Sequence, residues 1–506
     1  MQDTVTTSIK TLGELKASGY QSLPIKEELR KNLILKLQAG EDVFPGIYGY
    51  EDTVIPDLER AILSRHNVLL LGLRGQAKTR IARMMVNLLD EYIPAIEGAD
   101  LNDDPLNPLS RVARDLIAAH GDATPITWIH RSERYAEKLA TPDVSVADLI
   151  GDVDPIKAAN LRLNYSDERV IHFGLIPRAN RSIFVINELP DLQPRIQVAL
   201  FNILQEGDIQ IRGFKLRLPL DIQFVFTANP EDYTNRGSIV TPLKDRIESQ
   251  ILTHYPKSIE ISRMITEQEA NLSGGAQERV AVPDMMRDLV EQVAIEARES
   301  EYVDQKSGVS ARLTISAFEN LVSAAERRAL ISKESQTYVR VGDLWGIIPA
   351  LTGKIELVYE GEQEGPAIVA QNLLGKAIRK RFTIFFPDPE QAKRGKENPY
   401  DEISRWFGRG NSVDLLLDHH NEKYADALKA VPGLEALVKK HYPRASGDER
   451  LFLMEFVLHG MAEFSLIGKN QLERGLQFQD LMSGLFSSGS FEDDEDLGLD
   501  DDRWNR

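Results

Sequence analysis

The stretch from Leu69 to Arg80, LLLGLRGQAKTR, constrains the fold of this chain more than any other feature. An apolar run enters a glycine-rich turn, and the amphipathic segment IARMMVNLLDEY follows it. This order is typical of a phosphate-binding loop, because the N–H groups of the turn and the positive helix end face the same anion. The familiar spacing is G-x-x-x-x-G-K-[ST], and Ala77 stands where the last glycine is expected. The stretch predicts a nucleotide-binding turn, with an ordinary strand-to-helix turn as the alternative.

Short apolar runs alternate with longer amphipathic stretches through the first half of the chain, which predicts a parallel sheet covered by helices. The candidate strands are residues 67–72, 126–130, 182–187, 224–229 and 250–255. Residues 193–207 follow helical spacing, and residues 208–219 alternate around Gly213 like a β-hairpin. Beyond about residue 257 the strand signals fade, and helices are predicted at 259–272, 283–299, 312–333 and 341–359.

Composition excludes several kinds of protein. The chain of 506 residues has no cysteine, so disulfides, thiolate metal sites and cysteine nucleophiles are absent. No segment approaches the run of about 18 apolar residues that a membrane span needs, and we expect a cytoplasmic protein. The net charge of -18 argues against generic binding to nucleic acid. The last sixteen residues hold eight acids and two bases, which predicts a disordered tail.

A second group of polar residues follows two of the predicted strands. Residues 183–188, IFVINE, form a buried run that ends in Asn187 and Glu188. Glu188 is placed to activate water, whereas Asn187 stands where an aspartate would hold Mg²⁺ and supplies no full charge. The alternative is an Asn-Glu pair that caps the next helix. Asn229 ends the following strand, where it could orient the attacking water or form an Asn-Pro turn.

Two arginines complete the candidate set. Arg246 lies in TPLKDRIESQ after the predicted strand 224–229, and Arg312 opens the helix within SGVSARLTISAFENL. A single arginine is usually a solvated surface charge, but the order of these residues along the chain favours a functional role.

Together these residues resemble the AAA+ ATPases, in the branch that contains the MoxR proteins and the ATPase subunit of magnesium chelatase. Five stretches carry the narrower resemblance: FPGIYGYEDTV, FGLIPRANRSIFVINELPDL, LFNILQEGDIQIRG, FVFTANPEDY and the acidic segment IEGADLNDDPLNP. It spans roughly residues 23–365 and leaves 366–506 outside. It implies an α/β fold, an AAA+ P-loop three-layer core with a parallel sheet, followed by an all-helical lid and a mostly helical C-terminal extension.

The resemblance also implies domain limits. We expect a polar leader at 1–22, the AAA+ α/β nucleotide-binding core at 23–258 and a helical lid at 259–365. A mostly helical extension at 366–490 and the acidic tail at 491–506 follow.

By the resemblance, the cofactors are ATP and Mg²⁺. Lys78 and Thr79 would hold the phosphates and the metal, with Asn187 as the second residue near the metal. Glu188 would polarise water, and Asn229 would be the sensor on the next strand. Arg246 would reach into the adjacent subunit, and Arg312 would be the second sensor on the lid. The nucleotide-contacting residues would be Tyr48, Gly49, Gly72, Leu73, Arg74, Gly75, Gln76, Ala77, Lys78, Thr79 and Arg80.

An arginine that acts between subunits implies a homo-oligomeric ring, most simply a hexamer. Members of this branch usually work on a partner with a von Willebrand factor A domain. This chain shows no D-x-S-x-S motif, so the partner would be another chain. The main functional hypothesis is therefore an ATP-hydrolysing ring that remodels or activates a partner complex. Two alternatives stay open: a magnesium chelatase motor for Mg²⁺ insertion into a porphyrin, and a non-hydrolysing scaffold, which Asn187 suggests.

Overall fold

The chain forms two compact units, Met1–Pro256 and Lys257–Arg506. A computed structural model describes residues 8–164, 167–209, 218–230, 238–272, 274–392, 398–416, 419–445, 447–472 and 475–481. Gly213 and the acidic tail at 491–506 lie outside the described residues.

The first unit alternates strands and helices. Its strands are β1 (Val68–Leu71), β2 (Tyr92–Ile96), β3 (Ile126–His130), β4 (Tyr135–Leu139), β5 (Gly151–Val153), β6 (Ile171–Phe173), β7 (Ser182–Asn187), β8 (Asp208–Ile209), β9 (Leu218–Pro219), β10 (Ile222–Ala228) and β11 (Ser249–Leu252). Its helices are α1 (Leu12–Ala17), α2 (Ile25–Ala39), α3 (Val54–Leu63), α4 (Lys78–Met84), α5 (Arg111–His120), α6 (Val146–Leu149), α7 (Pro155–Leu161), α8 (Leu175–Arg178), α9 (Pro194–Ala199), α10 (Phe201–Glu206) and α11 (Thr241–Lys244).

Five of these strands form a parallel sheet in the order β11-β1-β10-β7-β4. Successive side chains of a strand point to opposite faces, and the two faces have separate apolar cores. Val68 and Leu70 join the core that contains α2 and α3, whereas Leu69 and Leu71 join the core that contains α9. The arrangement is three layers around a buried sheet, and it confirms the predicted α/β core.

One predicted member of this sheet was wrong. Residues 126–130 do form β3, but β3 pairs antiparallel with β2 outside the parallel sheet. The edge position beside β7 is taken by β4, whose sequence YAEKL has no continuous apolar run. An edge strand has one neighbour and partial exposure, so it carries a weaker apolar signal than a central strand.

A buried ion pair fixes the start of this edge strand. Arg134 directly precedes β4, and its two terminal nitrogens each donate to a Glu28 carboxylate oxygen at 2.6 Å. Glu28 lies on α2, and both side chains are almost fully buried, at 1% and 3% exposure. Arg134 Nε also donates to the carbonyl of Arg181 at 2.9 Å, directly before β7. The pair therefore joins α2 to two neighbouring strands.

We predict that Arg134→Met lowers the free energy of unfolding by about 3–5 kcal/mol, because it leaves a carboxylate buried without its cation. Adding Glu28→Gln should recover a substantial part, since the charge is removed while the amide oxygen can still accept from the backbone N–H of Asp90. Urea unfolding of both variants tests this. A double variant no more stable than Arg134→Met would contradict the prediction.

Part of the predicted polar leader is structured. The helix α1 begins after Thr11 with a reciprocal capping box to Glu14, and it buries Leu12 and Leu15. The backbone N–H of Leu12 donates to the carbonyl of Thr124 at 3.0 Å. This segment thus packs against the rest of the first unit.

The second unit is mostly helical. Its helices are α12 (Ile259–Glu269), α13 (Ala276–Arg279), α14 (Asp284–Glu299), α15 (Arg312–Ser332), α16 (Ile348–Thr352), α17 (Tyr359–Glu364), α18 (Pro366–Phe385), α19 (Pro389–Ala392), α20 (Asp401–Phe407), α21 (Asn421–Lys429), α22 (Leu434–His441) and α23 (Gly447–Glu463). Its strands are β12 (Val280–Ala281), β13 (Thr337–Tyr338), β14 (Val413–Leu416), β15 (Gly468–Leu472) and β16 (Gly475–Gln479). No described helix is long and apolar enough to cross a membrane.

One apolar core runs through this unit from Ala276 to Phe478, with α18 packed against both α14 and α23. The prediction of one continuous helix at 341–359 was wrong. The structure has a 3₁₀ helix at Val341–Ile347, the short α16, and then α17. Pro349 and Gly353 lie within this stretch, and both residues disfavour a continuous helix.

Candidate nucleotide site

The glycine-rich turn connects β1 to α4, as its sequence predicts. Gly72 has no room for a side chain, because a Cβ there would lie 2.0 Å from Thr253 Oγ1 and 2.2 Å from Gln76 Oε1. Gly75 has a φ of 75°, a left-handed conformation that glycine adopts without a steric cost. The turn therefore favours glycine at both positions.

Ala77 also adopts the left-handed conformation, with φ 56° and ψ 14°. The position thus requires the geometry that glycine would supply at no cost, and alanine adopts it at about 1–2 kcal/mol. Its carbonyl accepts from the N–H of Ile81 at 2.9 Å, so α4 still begins normally. The departure from the familiar motif changes the energy of the turn but not its path.

Lys78 opens α4 and is buried, with 7% of its surface exposed. Its ammonium donates to the carbonyls of Gly72 and Leu73, the latter at 2.9 Å. The cation therefore lies within the curve of the turn, where the phosphates of a nucleotide would compete with these carbonyls for it.

Hydrogen bonds connect the glycine-rich turn to the segment after β11. The Thr253 hydroxyl donates to Gln76 Oε1 at 2.7 Å, and the Tyr255 hydroxyl donates to the Arg74 carbonyl at 3.0 Å. The Tyr50 hydroxyl lies 3.1 Å from the Gln76 carbonyl and 2.7 Å from the His254 carbonyl. Burial raises the pKa of Tyr50 to about 12, which keeps this hydroxyl a donor. The predicted residues here are Tyr48 and Gly49. Tyr50 is not among them, because its hydroxyl contacts lie 26 and 204 residues away along the chain.

The polar residues at the strand ends meet at one edge of the sheet. Asn187 ends β7, and Asn229 directly follows β10, the strand between β7 and β1. Gly72 donates its N–H to the carbonyl of Ala228 at 3.1 Å, so the turn begins beside Asn229. Glu188 has a left-handed backbone, with φ 55° and ψ 49°. Such backbone strain clusters at functional sites.

Asn187 is the centre of a hydrogen-bonded network. Its Oδ1 accepts from the Thr227 hydroxyl at 3.0 Å and, more weakly, from the Thr79 hydroxyl at 3.4 Å. Its Nδ2 donates to Glu137 Oε1 at 2.7 Å. Thr227 in turn accepts from the backbone N–H of Glu188 at 3.2 Å. Glu137 is not among the predicted site residues, because it lies fifty residues earlier, on the edge strand.

The predicted arginines lie in different units. Arg246 donates to Gln205 Oε1 at 2.8 and 3.1 Å and to the Pro242 carbonyl at 2.7 Å, and its guanidinium lies 5.0 Å from the Phe201 ring. It is thus held at the surface of α10 and α11. Arg312 is exposed on the first turn of α15 in the second unit. The roles assigned to both arginines stay predictions.

The oxygen donors beside the turn fit Mg²⁺. They are the Thr79 hydroxyl, the Asn187 amide oxygen and the Glu137 carboxylate, which hydrogen bonds link to one another, and Glu188 directly follows Asn187. Hard cations prefer such oxygen ligands. Among the described residues no three His, Cys, Asp or Glu side chains are placed to hold a metal ion by themselves. Mg²⁺ usually keeps waters and phosphate oxygens and needs only one or two protein ligands.

Sequence comparison finds two relatives, both named magnesium-chelatase 38 kDa subunit. The protein of Cereibacter sphaeroides is 26% identical over 207 residues, which cover 40% of this chain and 56% of that protein. The protein of Rhodobacter capsulatus is 26% identical over 221 residues, 43% of this chain and 57% of that protein. The chain resembles the AAA+ ATPases of the magnesium-chelatase and MoxR branch, and these relatives support that assignment. It spans a little over half the length of these relatives, and no family model matches it.

Solved structures are also similar, at low identity. NtrX from Brucella abortus is 14% identical, covering 79% of this chain and 71% of that chain with a TM-score of 0.36. A chain from the complex of the BchI and BchD subunits of magnesium chelatase is 20% identical, covering 68% and 99% with a TM-score of 0.30. TM-scores this low carry no argument about the fold. The description of the fold therefore rests on the strand order of this chain alone.

We predict that Ala77→Gly raises the free energy of unfolding by up to about 1 kcal/mol. Relief of the left-handed strain, about 1–2 kcal/mol, exceeds the extra entropy of an unfolded glycine, about 0.5–1 kcal/mol. Ala77→Val should have the opposite effect, because a β-branched side chain tolerates positive φ least. Urea unfolding of the three proteins provides the comparison, and a less stable glycine variant would show that the turn does not strain Ala77.

Proposed function

We propose that this chain binds ATP with Mg²⁺ at the turn Gly72–Thr79 and hydrolyses it, within a ring of identical copies, to remodel or activate a partner protein. The observation that carries the proposal is the meeting of Lys78, Thr79, Asn187 and Glu188 at one edge of the sheet. Lys78 is buried within the turn, and Asn187 lies between Thr79 and the strand that bears Thr227.

Each residue has a distinct role in this proposal. The Lys78 ammonium would exchange its carbonyl partners for the terminal phosphates of ATP. Glu188 would accept a proton from the attacking water, and Asn229 would orient that water from the neighbouring strand. Bound Mg²⁺ would neutralise charge on the phosphate oxygens. Thr79 and Asn187 are the residues that would hold it.

The ring and the partner are inferred from the family. Arg246 is held by Gln205 and Pro242 at the surface of the first unit, where it would be available to an adjacent copy. A partner with a von Willebrand factor A domain is the proposal that follows from the branch.

The names of the two relatives favour a second candidate function, a motor for Mg²⁺ insertion into a porphyrin. Porphyrin metallation by the purified chain with its partner subunits would favour that candidate.

We predict that Lys78→Ala weakens binding of a fluorescent ATP analogue at least tenfold, because it removes the charge that reaches the terminal phosphates. Lys423→Ala, at an exposed position of the second unit, is the matched control and should bind normally. Equal affinity of Lys78→Ala and the wild type would place the nucleotide elsewhere.

Catalysis between subunits predicts a complementation between two inactive variants. Glu188→Gln should bind ATP and hydrolyse it very slowly, because it lacks the base. Arg246→Ala should do the same if its guanidinium stabilises the transferring phosphoryl group, a contribution of roughly 10³–10⁵ in rate. Mixed rings would contain some interfaces with both an intact Glu188 and an intact Arg246, so part of the activity should return.

Steady-state phosphate release from the mixture measures this recovery, and sedimentation confirms that the two variants co-assemble. Co-assembly without recovery would show that Arg246 does not act across an interface. A wild type that binds ATP but never hydrolyses it, even with its partner, would instead favour the non-hydrolysing scaffold.

A further inference from the structure

The hydrogen bond between Asn187 and Glu137 joins two strands on the face of the sheet that α4 covers. In the register of β4 and β7, Glu137 is opposite Val185 and Leu139 is opposite Asn187. Residues 185 and 187 share one face of β7, so the side chains of Glu137 and Asn187 are diagonal neighbours on that face. Val185 and Ile81 of α4 belong to the same apolar core. The 2.7 Å hydrogen bond from Asn187 Nδ2 to Glu137 Oε1 therefore follows from the register of β4 and β7.

Other donors hold the Glu137 carboxylate in place. The Tyr135 hydroxyl donates to Oε2 at 2.9 Å, and Arg83 donates to the same oxygen through Nε at 3.0 Å. Arg83 lies on α4, the helix that the nucleotide-binding turn starts. Glu137 thus connects the edge strand, Asn187 and the phosphate-binding helix.

The direction of each hydrogen bond follows from these partners. An ionised carboxylate can only accept, so the Asn187 atom that faces Glu137 is the NH₂ group and Oδ1 points away from it. Thr227 accepts from the N–H of Glu188, which leaves its hydroxyl proton to donate to Asn187 Oδ1. Glu137 therefore determines which end of the amide faces Thr79.

We propose that Glu137 is a positioning residue that supplies, from the neighbouring strand, the negative charge that Asn187 lacks. It holds the amide oxygen of Asn187 toward Thr79 and places a carboxylate next to the position where Mg²⁺ would lie. This inference rests on the proposed function of the site. Partners in this outer layer typically contribute about 10–100-fold to metal affinity.

The pairing also explains why position 187 carries an amide. With Glu137 held by Arg83 and Tyr135, an aspartate at 187 would bring two carboxylates to the distance of a hydrogen bond without a proton between them. Like charges this close destabilise the folded state. A hydrogen bond between the two positions needs one carboxylate and one amide, and it can form with the carboxylate at either 137 or 187. A variant that exchanges the two groups is therefore a direct test.

The test uses the full chain with Glu137→Gln, Asn187→Asp and the double variant Glu137→Gln/Asn187→Asp. Glutamine keeps the shape and an acceptor oxygen at 137 but removes the charge. Glu133→Gln, at an exposed position four residues earlier, is the control. Binding of a fluorescent ATP analogue is titrated with Mg²⁺ and repeated in EDTA. Urea unfolding is followed without nucleotide and metal.

We expect Glu137→Gln to raise the Mg²⁺ concentration for half-maximal binding by about 10–100-fold, without weaker binding in EDTA. The double variant should need Mg²⁺ within a few-fold of the wild type. In urea, Asn187→Asp should unfold at a lower concentration than the wild type, and the added Glu137→Gln should move the midpoint back.

Three outcomes would overturn the inference. One is an unchanged Mg²⁺ requirement in Glu137→Gln, and another is a double variant no more stable in urea than Asn187→Asp alone. In both cases a wild type that still binds Mg²⁺-ATP leaves the proposed function standing. The third is a wild type that binds no ATP, which would overturn the proposed function and the metal role of Glu137 together.

Discussion

Parallel pairing of β1, β10, β7 and β4 is the constraint on which the candidate site depends. Strands that run in the same direction end at the same edge. The residues after β1 therefore become neighbours of those after β7 and β10, although more than 100 residues separate β1 from either strand along the chain. Alternation along each strand adds a second constraint, since Thr227, Asn187 and Glu137 all point to the face that α4 covers. The turn Gly72–Thr79 enters that face from β1. A slip of one residue in any of these registers would move a polar side chain to the opposite core.

The central part of this arrangement could be predicted from sequence because its signals are local. β1, β7 and β10 are buried on both faces and are therefore continuous apolar runs, which a sequence shows directly. The glycine-rich turn and the polar residues after β7 and β10 are adjacent to those runs, so their meeting at one edge followed from the parallel sheet. The positive φ at Ala77 could not be predicted from the residue type, because alanine normally avoids this conformation. The path of the turn imposes it.

The edge of the sheet could not be predicted in the same way. β4 has one neighbour, and Leu139 is 52% exposed, so the strand shows no apolar run. Residues 126–130 are more apolar and therefore give the stronger strand signal in the sequence. The contact between Glu137 and Asn187 depends on which strand pairs with β7 and in which register. The two residues are fifty positions apart, and the sequence between them shows neither the pairing nor the register. Arg134 illustrates the same limit, because a buried arginine is recognisable only when its partner on α2 is known.

The two departures from the familiar nucleotide-binding pattern have different physical consequences. At position 77 the backbone keeps the path that glycine would take, so the cost is a local strain and the turn still encloses Lys78. At position 187 the chain loses a charge, but Glu137 lies 2.7 Å away and is held by Arg83 on α4. Glu137 on one side and Thr227 on the other fix the orientation of the Asn187 amide, with its NH₂ group toward the carboxylate and its oxygen toward Thr79. The asparagine is better understood as one half of a pair whose charge lies on the adjacent strand.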